Sequence, residues 1–215
     1  PAGSGLVPGV VASDEFGRRP GEPALPPVWQ WNHNPDNALW SVGARPGWLR
    51  LIPGRVDADV LSARNTLTQR TFGPACSAET ALDVSQMRDG DCAGLALLQK
   101  QYGWVGVKAE GGAKSVVVMS TEPGSPVEVQ RVPLAQGVVW LRAECDFRKR
   151  ADQARFFFSR DGATWAALGG TLKMTYTLPH FMGYRFGLFN YATRTAGGFV
   201  DFDYFRLDTK LTNTN

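Results

Sequence analysis

Apolar and polar residues alternate with a period of two along much of the chain, as strands do when one face lies in a core and the other in solvent. Cys76, Ala78, Thr80, Leu82 and Val84 share one face of a run, with Glu79 and Asp83 on the opposite face. Trp29, Trp31 and His33 share one face of WQWNH. Further strand-like runs follow: DGDCAGLALLQ, WVGVKAE, SVVVMST, VVWLRAECDF, ARFFFS, TWAAL, YRFGLFNYA and FVDFDYFRL. Between them lie EGGAK, TEPGSP and RDG, whose Gly, Pro and Asp residues suit chain reversals. In ARFFFSRDGATWAAL, Asp161-Gly162 predicts a hairpin turn, with Phe156, Phe158 and Trp165 in contact across the strands. No long run carries a helical period. Many short strands without interleaved helices exclude a βαβ architecture and predict an all-β, two-sheet antiparallel β-sandwich in preference to a closed barrel.

Residues 1–12, rich in Gly, Pro and small apolar side chains, read as a linker or N-terminal extension. The sandwich is expected over 13–208, and the polar stretch 209–215 as a flexible tail. A length of 215 residues with 43% hydrophobic and 20% charged residues fits one domain with a sizeable core. The net charge of +3 is small and the arginines are scattered, so neither nucleic acid nor a membrane is expected as a partner. No stretch has the roughly 20 apolar residues of a membrane-spanning helix. A signal peptide, lacking both its basic and its apolar segment here, is expected to be absent or already removed. The three cysteines, Cys76, Cys92 and Cys145, have no metal-ligand spacing and read as buried thiols.

Catalytic signatures are missing: there is no ExDxE acid cluster, no GxSxG and no HExxH, and the histidines are His33 and His180. Glu79 and Asp83 fit a solvated sheet face. Asp201 and Asp203 share one face of the last run, opposite Phe202 and Tyr204. Asp203, with Asp14 or Glu15, would offer oxygen ligands of the kind calcium takes. Of the seven Trp, Trp104, Trp140 and Trp165 read as core. Trp29 and Trp31 differ, because they alternate with Gln30 and Asn32, so both faces of their run carry hydrogen-bonding groups. An aromatic floor with a few polar groups is how ligand sites hold sugars. ARNTLTQR adds Arg64, Thr66, Thr68 and Arg70 on one face, with Asn65 and Gln69 flanking Leu67 on the other.

The string WQWNHNPDNALWSVGARPGWLRL, followed by ARNTLTQRTFGP, AGLALLQKQYGWVGV and GGFVDFDYFRL, resembles the C-terminal concanavalin A-like domain of family 43 β-xylosidases. Such domains are also classed as carbohydrate-binding module family 91. The resemblance runs from about Asp14 to Leu207 and implies a jelly-roll sandwich. In that family the domain follows a five-bladed propeller bearing the catalytic acids, and one of its loops brings an aromatic residue to the propeller's pocket. The matching segment is HFMGYRFGLF and the matching residue Phe181. The family also implies a structural calcium, at positions corresponding to Asp14 and Asp203.

The expected function is therefore a non-catalytic module that binds xylan or xylo-oligosaccharides and serves a family 43 β-xylosidase or arabinofuranosidase, secreted or periplasmic. Trp31, His33, Arg64, Gln69 and Phe181 would make the contacts. Two rivals stand beside it. One is a structural interdomain module without sugar affinity of its own. The other is a free-standing glycanase relying on an acid such as Glu79 or Glu144.

Overall fold

Alternating side chains turn a strand into a two-faced ribbon, and apolar faces of two such ribbons bury each other. The computed structural model describes residues 9–122, 124–175 and 183–212. Its strands are β1 (Gln30–Trp31), β2 (Trp40–Ser41), β3 (Leu49–Leu51), β4 (Leu67–Arg70), β5 (Ala75–Asp83), β6 (Asp91–Leu98), β7 (Gly103–Glu110) and β8 (Ala113–Ser120). They continue with β9 (Val127–Leu134), β10 (Val138–Asp146), β11 (Gln153–Ser159), β12 (Trp165–Lys173), β13 (Arg185–Ala192), β14 (Val200–Phe202) and β15 (Arg206–Asp208). One sheet runs β1-β4-β13-β6-β7-β8-β9, the other β12-β11-β10-β5-β14-β3-β2, with β15 also paired to β5. The described residues contain no α-helix, only a single 3₁₀ turn at Arg148–Arg150.

Leu95, Leu97, Val105 and Leu188 of the first sheet meet Ala78, Leu82, Leu141 and Phe156 of the second in one buried cluster. Each large side chain so buried contributes about 1.5–3 kcal/mol. The expected hairpin joins β11 to β12, with Phe156 opposite Leu168 and Phe158 opposite Ala166. Gly162 supplies its left-handed residue at φ 74°.

The outer faces of the two sheets differ. On the seven-stranded sheet, Trp104, Phe189 and Tyr191 form a second apolar cluster with Val60 and Ala63 of the segment between β3 and β4. The eight-stranded sheet instead carries paired charges, with Arg142 on Glu79 at 2.6 Å and Arg50 on Asp201 at 2.8 Å. Residues 13–15 meet residues 205–207 on that sheet. Asp14 and Phe205 exchange backbone hydrogen bonds of 2.8 and 2.7 Å. Arg206 pairs with Glu15 at 2.8 Å, and Leu207 N–H donates to Ser13 Oγ at 2.9 Å.

Several expectations need correction. WQWNH is a strand only at Gln30–Trp31, and His33 follows in a bend. Trp140 and Trp165 are half-buried, because both alternate with core positions and sit opposite Ser159 on the outer face of the sheet, where Trp165 stacks under the Arg142 guanidinium at 4.0 Å. The alternation expected over 201–205 breaks between β14 and β15. Phe202 and Phe205 both enter the core, while Tyr204 turns outward to donate its hydroxyl hydrogen to Glu79 at 2.7 Å. At the margins of the described residues, Val11 is buried in the core cluster, and Thr212 donates to Glu144 at 2.8 Å from its N–H and 2.7 Å from its hydroxyl.

Candidate functional site

Two of the five expected sugar contacts, His33 and Arg64, lie where the segment after β1 meets the segment before β4. Trp31 pairs with Leu67 in the ladder, and its ring lies 5.2 Å from that of Trp40 at a tilt of 53°. Both Trp side chains are half-buried against the core cluster, and Trp40 Nε1 donates to Asn37 Oδ1 at 3.0 Å. His33 is exposed, and its Nε2 lies 2.6 Å from the Leu61 carbonyl. A carbonyl oxygen only accepts, so that ring nitrogen carries the hydrogen. Arg64, also exposed, donates from Nε to the Asn34 carbonyl at 3.0 Å. Asn65 clamps the same segment: its Oδ1 accepts from Asp36 N–H at 2.9 Å and its Nδ2 donates to Asp36 O at 3.0 Å. His33 and Arg64 are thus held by backbone partners while remaining exposed, and Asn65 is buried beneath them.

Gln69 is not part of this patch. It is 1% exposed, and its amide is closed on one backbone unit, accepting from Ala12 N–H at 3.0 Å and donating to Ala12 O at 2.8 Å. Its shared parity with the core residue Leu67 is the sequence signal for that burial. Phe181 lies outside the described residues. Trp40 and Asn190 were the positions that sequence reasoning passed over. For Asn190 a signal existed: an amide at the same parity as core Phe186 and Leu188.

The calcium expected of Asp14 and Asp203 does not fit the donor set. Both Asp14 oxygens are filled by N–H groups: Phe16 N–H at 2.8 Å, Arg18 Nη1 at 2.9 Å and Nη2 at 2.7 Å, and Trp29 Nε1 at 2.8 Å. A carboxylate so saturated presents no lone pair to a cation. Burial, then the neighbouring Glu15 carboxylate, hold the Asp203 carboxyl above its ordinary value. Arg206 already neutralises Glu15, at 2.8 Å. Among the described residues no group of three or more His, Cys, Asp or Glu side chains is placed to hold a metal ion.

The acids of the glycanase alternative are likewise committed. Glu79 takes Arg142 and the Tyr204 hydroxyl, and Glu144 is 2% exposed beneath Thr212.

Residues 13–208 match the family described as the β-xylosidase C-terminal concanavalin A-like domain, GH43_C2. The chain belongs to that family. Among solved structures this GH43 C-terminal domain is similar to part of a bifunctional GH43-CE protein of Bacteroides eggerthii, 56% identical, with a TM-score of 0.94 over 96% of this chain and 27% of that one. It also resembles a GH43 glycoside hydrolase engineered to display both endo-xylanase and exo-arabinofuranosidase activity, at 32% identity and TM-score 0.85, covering 98% of this chain and 42% of that one. The β-xylosidase of Formosa agariphila is 28% identical over an alignment of 207 positions that covers 86% of this chain and 34% of the relative. The domain thus spans about a third of that curated relative, and it is an accessory C-terminal domain of GH43 β-xylosidases with a concanavalin A-like sandwich.

Proposed function

We propose that the domain is a non-catalytic module that recognises xylan or xylo-oligosaccharides on behalf of a family 43 catalytic domain. The observation that carries this reading is the half-buried Trp31–Trp40 ring pair, followed in the same stretch of chain by the exposed His33 and faced across it by the exposed Arg64, both fixed by backbone contacts. Sugar rings lay apolar faces on such aromatic surface and exchange hydrogen bonds with the flanking polar groups. Preformed geometry lowers the ordering cost of binding, while an open patch leaves water competing for each hydroxyl, so affinity is modest.

Isothermal titration with xylohexaose and soluble arabinoxylan tests it, with chromatography of the same mixtures. Saturable heat without released sugar, weakened about tenfold or more in Trp31→Ala and Arg64→Ala, is the expected result. An interdomain role is the second reading, favoured by the domain's covering only 27% of the bifunctional Bacteroides eggerthii protein. Absence of heat with every xylan would favour it, and release of shorter sugars would overturn both.

A further inference from the structure

Cys76 and Cys145 face each other directly in the β5–β10 ladder, and both side chains are buried in the core between the sheets. Hydrogen bonds at the two ends of the ladder fix the kind of pairing. Val84 N–H donates to the Gly137 carbonyl at 2.8 Å, and Phe147 N–H to the Pro74 carbonyl at 3.0 Å. Opposed residues alternate between hydrogen-bonded and non-hydrogen-bonded pairs, so Cys76 and Cys145, two positions in from Pro74 and Phe147, are a hydrogen-bonded pair. Cα atoms in such a pair stand about 5.5 Å apart. Disulfides span roughly 4.4–6.8 Å between Cα atoms and are commonest at about 5.5–6 Å. Burial, and after it the Cys76 thiol alongside, push the Cys145 thiol above its ordinary value.

A buried thiol pair reacts only when the fold opens, and these two sit where opening is easiest. β5 begins at Ala75 and β10 ends at Asp146, so the cysteines are one pair from the end of the paired strands. Beyond them the chain turns through Arg148–Arg150, and Lys149, Arg150 and Asp152 hold left-handed backbone at φ 52°, 60° and 43°. That conformation is unfavourable for residues other than glycine, and strand ends beside such turns open locally before the sheet does. Cys92 is placed differently, in the second apolar cluster on the outer face of the other sheet.

We propose that Cys76 and Cys145 are a reversible redox site, a dithiol that a low-molecular-weight disulfide oxidises to a cross-strand disulfide when this end of the β5–β10 ladder opens. One thiolate, its proton passed to solvent, attacks the oxidant RS–SR, forms a mixed disulfide and expels one RS⁻. The second thiolate attacks the protein sulfur of that mixed disulfide, closes the Cys76–Cys145 bond and expels the other RS⁻. Two electrons pass from the protein sulfurs to the oxidant, which takes up two protons and leaves as two thiols. Opposed Cβ atoms stand roughly 4.5–5.5 Å apart, at the wide end in a hydrogen-bonded pair, and a disulfide draws them to about 3.5–4.5 Å. The bond is therefore strained and reopens when monothiol is in excess. Closed, it ties together two adjacent strands at the middle of the eight-stranded sheet.

The test starts from the whole reduced chain, equilibrated in glutathione buffers of graded oxidised-to-reduced ratio. Each sample is quenched in acid, alkylated in guanidinium, cut with trypsin and mapped by mass spectrometry. The expected result is passage from three alkylated cysteines to Cys92 alone, with residues 71–88 cross-linked to residues 143–148, reversed by excess glutathione. The oxidised form should melt about 5–10 °C higher, because the link restricts the unfolded chain over a long loop. Cys92→Ala should leave the transition unchanged. Cys145→Ala should stop it at a mixed disulfide of glutathione with Cys76, and the mapping of the unmodified chain decides alone where that variant does not fold. Three alkylated cysteines at every ratio, glutathione on single cysteines without a cross-link, or a cross-link through Cys92 would overturn the proposal. A cross-link that excess glutathione leaves intact would overturn its reversible form.

Discussion

Arg18 grips both oxygens of the Asp14 carboxylate, with Nη1 on Oδ1 at 2.9 Å and Nη2 on Oδ2 at 2.7 Å. The pair is largely buried, at 15% and 6% side-chain exposure. A guanidinium thus occupies the place where the family resemblance led us to expect calcium. Arg18→Met would strand a buried carboxylate, a change that costs about 3 kcal/mol and lowers Tm by about 6–12 °C. A chelator should leave the Tm of the unmodified domain unchanged. A chelator-induced drop that added calcium reverses would show instead that a cation displaces Arg18.

Gln69 should matter for stability and not for sugar. Gln69→Leu removes both bonds to Ala12 and leaves that backbone unit without its partners, for a loss of about 2 kcal/mol. Hydrogen exchange at the Ala12 amide should accelerate by an order of magnitude or more, while xylohexaose titrates as before. A loss of sugar affinity at unchanged stability would return Gln69 to the binding surface.

Much of the sandwich was legible because period-two alternation is a local signal. Cys76, Ala78 and Leu82 announced the inner face of β5, and Asp161-Gly162 announced the hairpin. What failed was parity across interruptions. His33 fell out of register where β1 stops after two residues, and Tyr204 turned outward where β14 and β15 are separated. In the candidate site, residue types were readable but partners were not. Gln69 and Arg64 look equally suited to a sugar in one dimension. Only the fold shows that one amide closes on Ala12 while one guanidinium stays exposed. The bond from Asn190 to the Leu51 carbonyl joins positions 139 apart, and no spacing rule links them.

Asp161 gives the hairpin a pH dependence. Its carboxylate accepts from Thr164 N–H at 2.7 Å, Ala163 N–H at 2.8 Å and the Ser159 hydroxyl at 2.8 Å. These hydrogen bonds, that of Thr164 foremost, hold its carboxyl well below the ordinary value of 3.8. The unfolded chain therefore takes up this proton first as pH falls. The stability contributed is full above that ordinary value and is lost as pH drops below it. Between pH 4 and pH 2 the Tm should fall more steeply in the unmodified domain than in Asp161→Asn, whose amide oxygen still accepts but does not titrate. Parallel slopes would rule the effect out.

The three thiols should be silent in the folded state. All are buried and free, with Cys76 directly opposite Cys145 in the β5–β10 ladder. Burial pushes the Cys92 thiol up to about 11. Burial, then Cys76, raise the Cys145 thiol well above its ordinary value. A thiol-reactive chromophore at pH 8 should label none within the mixing time and three per chain in guanidinium. Prompt labelling of the native domain would contradict the packing of β5 on β10.

The antiparallel meeting of Asp14 with Phe205 also decides how the domain responds to mechanical load. Traction applied in opposite directions at Ser13 and Asp208 meets the Ser13–Leu207 contact first, then the Asp14–Phe205 bonds and the Glu15–Arg206 pair, one rung after another. Rungs that open in succession yield at lower force than rungs sheared together. The ends of the domain would therefore peel like a zipper, lengthening a tether to any fused neighbour while the sandwich body beyond Arg18 is still intact.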